Sequence, residues 1–308
     1  VGGVKRPDRS KRHLSRAALP YLLLTLAPLC WAGNVVLARG VAPLIPPVCF
    51  AFWRWTLASL VLLPFTWQQV KRDWPVARQG WKMIALLSVL GISCFNTLLY
   101  TAVHTTTAIN GALIQSTMPA IIILFSLVIY RERISTIQSA GVTLCVLGAG
   151  WIVLRGDLQT LVTMSFVRGD ILVVIAVVLY ALYSTLLRQR PALHPLSFLS
   201  LTFVMGALGL LPLYVWESFH YPPPEVTAEV VASILYVALL PSIVAYFCWN
   251  HGIELIGANR AGLFINLVPV FASGLAIVML GESLHSFHML GMLLIFSGMI
   301  LFNRDKEK

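Results

Sequence analysis

Several long apolar stretches of this 308-residue chain are interrupted by side chains able to hydrogen-bond or stack. Trp31 and Asn34 share one stretch, Asn96 and Tyr100 another, and Gln115, Ser116 and Thr117 a third. Later stretches carry Tyr180, Tyr183 and Ser184, then Tyr246, Trp249 and Asn250, and finally Asn266. Aromatic rings give apolar area with a polar tip, and amides both donate and accept hydrogen bonds. Together they would suit a small zwitterion with an apolar side chain. The plainer alternative is that the hydroxyls bond their own helix backbone and the amides hold helices together. Arg54 is the only basic residue inside such a stretch. It has two candidate roles: a bidentate contact to a substrate carboxylate, or a structural tie to helix carbonyls.

Reaction chemistry is poorly provided for. All twelve Asp and Glu fall in tails, loops or stretch ends. A proton-coupled exporter of lipophilic cations would use a buried carboxylate, although aromatic faces also bind cations. His251 with Glu254, and His285 with His288, each stand three residues apart, a spacing that can serve a metal. The topology derived below puts the two pairs on opposite sides of a membrane, so they cannot share an ion. His104 and His251 lie near helix ends and read as interfacial histidines. No phosphate-binding G-x-x-x-x-G-K-[ST] run is present. The five cysteines are odd in number and lack C-x-x-C spacing, so neither a disulfide framework nor a zinc site is indicated. The expectation is a binding protein for a small molecule, with no enzymatic role, no metal and no cofactor.

The elements that must position these groups follow from composition. The chain is 58% hydrophobic and 11% charged, with a mean hydropathy of +0.83. Soluble domains carry roughly 25% charged residues, so lipid is the matching solvent, in which a spanning helix needs about 20 apolar residues. The reading is an all-α integral membrane protein. Ten spans are expected at about 19–38, 48–67, 82–100, 108–130, 136–154, 169–187, 195–216, 229–250, 258–280 and 285–302. The basic N-terminus followed by an apolar run mimics a signal peptide, but the run continues past Cys30 with Leu29 before it, and reads as the first span. With the N-terminus inside, eighteen Lys and Arg fall on the inner side and only Arg39, Arg155 and Arg168 on the outer. That bias places both termini in the cytoplasm and accounts for the net charge of +10 without a nucleic-acid partner. Trp53, Trp67, Trp81, Trp151 and Trp216, near helix ends, read as an interfacial belt.

The chain also repeats itself. A shift of 150 carries Ala108, Leu113, Pro119, Val128, Glu132, Gly141, Leu144 and Gly148 onto Ala258, Leu263, Pro269, Val278, Glu282, Gly291, Leu294 and Gly298. A shift of 148 carries Pro43, Pro47, Phe50 and Pro64 onto Pro191, Pro195, Phe198 and Pro212. Five helices per repeat is an odd number, so the halves would lie inverted in the membrane. The expected organisation is a basic tail (1–18), a first repeat (19–155), a second (168–303) and a short tail (304–308) around a central cavity. Inverted repeats are a transporter design with the site at the repeat interface. Pro119 and Pro269 each lie about 20 Å from the following Glu, deep in the bilayer, and are expected to kink their helices as hinges.

The motifs "WAGNVVLARG", Arg54 in "FWRWTLASLVLLP", and the "P…YRE" and "P…LGE" helix ends resemble the EamA-type drug/metabolite transporters, over about residues 19–303. Within that superfamily the chain is most similar to the YddG-type amino-acid exporters. One departure is Arg131, where the second repeat has Gly281. The resemblance implies ten helices, a central cavity and alternating access, often for metabolite export. It also favours the structural role for Arg54. A lipophilic-cation exporter of the same superfamily and a non-transporting membrane scaffold are the competing readings.

Overall fold

In lipid the backbone has no water to bond, so apolar runs close their own hydrogen bonds as helices. The computed structural model describes residues 9–131, 135–163, 166–256 and 263–304, and among these no strand occurs. The helices are α1 (Arg9–Val41), α2 (Pro47–Gln79), α3 (Trp81–Ala102), α4 (Ala108–Tyr130), α5 (Thr136–Val153), α6 (Arg168–Gln189), α7 (Pro195–His220), α8 (Ala228–Ile256), α9 (Leu267–Leu280) and α10 (Ser286–Arg304). Among the described residues eight stretches are long and apolar enough to cross a membrane. The last two expected spans are represented by shorter apolar helices, Phe264–Leu280 and Ser286–Leu301. The expected start of the ninth, residue 258, lies outside the described residues, as does Glu132. Phe65, Val128, Phe219 and Val278 are largely exposed, as side chains facing lipid are.

Two boundaries differ most from expectation. α1 starts at Arg9, inside the stretch read as a tail, and α2 continues twelve residues past the expected end at 67. The reason in α2 is packing: Val70 and Ala77 are buried, Ala77 against Ile84, Leu193 and Phe198. Asp73 Oδ2 also accepts the His194 N–H at 3.0 Å. The basic residues Lys71, Arg72 and Arg78 therefore lie on helix rather than loop.

The repeats pack as a two-fold pair. α5 lies on α10 and α2 on α7, each against its own counterpart, while α1 meets α8 and α9 as α6 meets α3 and α4. The glycines of the repeat explain the first pairing. A Cβ on Gly148 would lie 2.8 Å from the Gly291 carbonyl oxygen, and one on Gly298 2.5 Å from that of Gly141. Only small residues let two backbones approach so closely. In the second pairing, Glu217 at the end of α7 accepts the N–H groups of Val48 and Cys49 at 3.0 and 2.6 Å, capping the start of α2. Asp73 of α2 performs the matching service at the start of α7.

The irregularities recur as well. α3 carries a π turn at Val89–Cys94 and α8 one at Leu240–Val244, 150 residues apart within one residue. Arg131 and Gly281 end α4 and α9 in the left-handed conformation, with φ of 54° and 66°. Pro119 does not kink a continuous helix. α4 breaks at Ser116–Thr117, whose N–H groups bond back to Leu113 and Ile114, and Pro119 is the second residue of the segment Met118–Tyr130. A first-turn proline sacrifices no helical hydrogen bond. Pro269 likewise stands in the first turn of α9, after a 3-10 turn at Leu263–Asn266.

Candidate functional site

Arg54, six residues past the start of expected span 2, is only 5% exposed. Its Nε donates to Ser242 Oγ at 2.9 Å. Its Nη1 lies 2.6 Å from Tyr100 Oη, 3.0 Å from Asn96 Oδ1 and 3.1 Å from Asn34 Oδ1. Tyr100 donates onward to Asn34 Oδ1 at 2.7 Å. Four helices, α1, α2, α3 and α8, thus meet on one guanidinium. Both π turns are drawn in: Asn96 Nδ2 donates to Ile92 O within the first, and Ser242 Oγ belongs to the second and donates to Val237 O. Among the described residues these partners of Nε and Nη1 are all neutral oxygens, so they hold the guanidinium without cancelling its charge.

Beside this polar knot lies an aromatic cluster built from both repeats. Trp31 stands 6.0 Å from Tyr246 and 5.4 Å from Trp249, centroid to centroid. Tyr180 is 4.7 Å from Phe95 and 5.0 Å from Tyr183, and its hydroxyl is 3.5 Å from that of Tyr246. Trp31 Nε1 donates to Pro241 O in the π turn of α8, tying cluster to knot. Burial separates the two groups. Asn34, Asn96 and Tyr100 are buried among their partners, whereas Trp31, Tyr180, Tyr183, Tyr246 and Trp249 are half-buried with area still accessible.

The sequence motif of α1 now has a physical reading. Gly33 is where the Tyr236 hydroxyl passes, and a Cβ there would overlap it. Asn34 takes the Arg54 and Tyr100 bonds, and Arg39 Nη1 donates to Val103 O at 2.6 Å. In α3, Gly91 leaves room for the Tyr183 ring, whose carbons a Cβ would meet at 2.7–2.9 Å.

The remaining expected residues are more scattered. Gln115 is half-buried and donates to the Gly111 carbonyl of its own helix. Asn266 is half-buried, and its Oδ1 is buried without a hydrogen-bond partner. Asn250 lies on α8, its side chain outside the described residues. Among the described residues no group of His, Cys, Asp and Glu could hold a metal. An open cavity of about 890 Å³ lies at one end of the bundle, between Pro43, Pro47, Thr101, Arg168, Pro222 and Thr227. Sequence reasoning missed Ser242, Phe95 and Phe203, the last packed on Tyr246 at 6.2 Å. Pro241, a proline inside an apolar run, was the available signal for the π turn that presents Ser242.

The EamA-like transporter family model matches twice, at residues 18–154 and 167–304, the two halves that the shift of 150 outlines. The chain belongs to this family. A Bacillus subtilis protein named the uncharacterized transporter YyaM is 28% identical over 91% of this chain and 92% of its own length. A Streptantibioticus cattleyicolor protein named a probable terminal-alkyne amino-acid exporter is 28% identical, over 72% of this chain and 73% of its own length. One crystal structure superposes with a TM-score of 0.62 at 18% identity, covering 94% of this chain and 99% of that one, which shows a shared fold. This EamA-like chain is therefore a multi-pass membrane protein of a transporter family.

Proposed function

We propose that this protein exports small zwitterionic metabolites, amino acids with apolar or aromatic side chains among them, across a bacterial inner membrane. The observation that carries this is the pairing of a buried, charge-uncompensated Arg54 with half-buried rings from both repeats. Ten spans are read from the apolar runs, and the eighteen-to-three distribution of Lys and Arg supports cytoplasmic termini. The halves lie inverted, and the site sits at their interface, where such transporters bind substrate. The positive potential of Arg54 favours a carboxylate, and Trp31, Tyr180, Tyr183, Tyr246 and Trp249 accommodate the side chain. Asn34, Asn96 and Tyr100 hold Arg54 in place, while Gln115 and Asn266, whose Oδ1 has no partner among the described residues, offer further polar contacts, and Asn250 is a further candidate by sequence. The breaks at Pro119 and Pro269 serve as hinges for alternating access. The relative named as a probable amino-acid exporter agrees with the substrate class.

The cluster also suits cation–π contact with a lipophilic cation, the competing reading, but Arg54 would repel one. Equilibrium binding to purified protein separates the two. Labelled phenylalanine is expected to be displaced by unlabelled phenylalanine but not by phenylalanine amide, which lacks the carboxylate. Tyr246→Ala should weaken binding about ten-fold, from lost aromatic contact and burial. Binding of tetraphenylphosphonium in place of phenylalanine would overturn the zwitterion reading.

A further inference from the structure

A second polar cluster lies away from the Arg54 knot, at the end of the bundle that carries the 103–107 and 281–285 connections. Asp170, in the first turn of α6, is fully buried. Thr106 Oγ1 donates to its Oδ1, and Asn110 Nδ2 donates to its carboxylate at 3.2 and 3.3 Å. Asn110 Oδ1 in turn accepts His288 Nε2–H at 2.8 Å. Asn110, Thr106 and His288 are 1–3% exposed. On its other side the His288 ring accepts the His285 backbone N–H at Nδ1, 2.9 Å away. Next to this chain Glu282 accepts the N–H groups of Ala108 and Ile109 at 2.8 and 3.1 Å, binding the end of α9 to the start of α4. Segments of both repeats are thereby tied together at one end: α4, α6, α9 and α10.

The hydrogen bonds fix the protonation state of His288. Asp170 accepts from Thr106 and Asn110. His288 has a donor facing Nδ1 and an acceptor facing Nε2, so it is neutral with its proton on Nε2. It occupies the third helical position of α10 and satisfies the N–H of the residue before that helix, the place a Glu or Gln takes in a capping box. Adding a proton would set Nδ1–H against the His285 N–H and put a cation at a helix N-terminus, where the macrodipole disfavours it. Charged and titratable groups near His288 act in both directions: Arg155 and the His285 ring oppose a charge there, while the carboxylates of Asp170, reached through Asn110, and Glu282 would favour it. Asp157 is engaged with the Gln159 N–H at 2.8 Å. The loss of the Nδ1 bond and the crowding of two donors decide the sign. The cluster also belongs to one end alone, since a shift of 150 carries Asp170, Asn110 and His288 onto Pro20, Arg260 and Gln138.

We propose that His288 is a proton-binding site that unlatches this end of the bundle. When neutral it holds α10 to Asn110 and, through it, to Asp170; when protonated it releases α10 from α4 and α6. The proposal rests on the transporter reading, in which helices tied in this way must part during the cycle. By the topology this is the outer end, so acid outside the cell would favour the open form.

Hydrogen–deuterium exchange on the full-length protein in nanodiscs tests this without any substrate. After correction for the intrinsic pH dependence of exchange, amides of 104–113 and 283–291 should exchange about ten-fold faster at pH 5.5 than at pH 7.5. His288→Gln keeps the capping acceptor and the amide donor but cannot be protonated, and should stay protected at both pH values. The wild-type comparison decides even if that variant does not fold. Unchanged protection in the wild type would overturn the proposal. So would a His288→Gln protein that still loosens in acid, or an equal loosening of residues 66–80 at the opposite end. Counterflow of phenylalanine at pH 7.5, run on the same protein, shows independently whether the transporter reading itself has failed.

Discussion

Gly148→Ala is the sharpest test of how the two repeats are joined. The added methyl would lie 2.7 Å from Ile295 Cγ1, 2.8 Å from the Gly291 carbonyl oxygen and 3.0 Å from Leu294 Cβ. The carbonyl is backbone and cannot rotate aside, so α5 and α10 must separate. Forced overpacking of this kind costs about 1–3 kcal/mol. Two residues on, in the same helix, a methyl on Gly150 would meet nothing within 4 Å. There alanine gains helix propensity, up to about 1 kcal/mol. Gly148→Ala gains the same propensity, so the two variants should differ by the overpacking cost alone, about 1–3 kcal/mol, with Gly148→Ala the less stable. Reversible unfolding of each purified variant in mixed micelles measures the difference against wild type. Equal stabilities for Gly148→Ala and Gly150→Ala would refute the close backbone contact between the self-paired helices.

Other expectations follow from single sites. Arg131 takes a left-handed conformation that its counterpart Gly281 adopts freely, so Arg131→Gly should stabilise by about 0.5–1 kcal/mol in the same unfolding assay, and Gly281→Ala should cost about 1 kcal/mol. Glu217→Ala leaves the buried N–H groups of Val48 and Cys49 without their acceptor and should cost about 1–3 kcal/mol, whereas Glu217→Gln, which keeps one oxygen, should cost less. Arg54→Lys retains the charge but not the planar fork that reaches Ser242 and the α3 side chains together. It should lower both stability and transport, and a fully active Lys variant would show that the fork geometry is not needed.

Much of the helical plan was legible because lipid imposes a simple rule: apolar runs become helices, and the spacing of Pro, Gly and Glu exposed the duplication. The glycines of α5 and α10 were visible as a repeat, and the structure supplies their reason in the 2.5–2.8 Å approaches to the facing backbone. Arg54 stood out as the lone basic residue in a span, and its hydrogen bonds go to side-chain oxygens of three other helices rather than to helix carbonyls. What it binds was not legible, because the partners Asn34, Asn96 and Ser242 come from helices distant in sequence and meet only through tertiary packing. The π turns were hidden for a different reason: one inserted residue leaves hydrophobicity unchanged while altering which side chains face the centre. The breaks before Pro119 and Pro269 look the same in sequence as kinks, since proline suits both a first turn and a bend. The cluster around Asp170 escaped notice because its members are spread across four segments, and His288 stood out only for its spacing from His285, not for its partner Asn110.

The account turns on whether the centre formed by Arg54 and the surrounding rings carries a zwitterion across the bilayer. Counterflow in liposomes containing only this purified protein measures that directly. With unlabelled phenylalanine inside, a trace of labelled phenylalanine outside and no ion gradient, the label should accumulate transiently, and Tyr246→Ala or Trp249→Ala should diminish it. Absence of accumulation with phenylalanine and with other neutral amino acids, in vesicles whose protein is shown to be folded, would contradict the account.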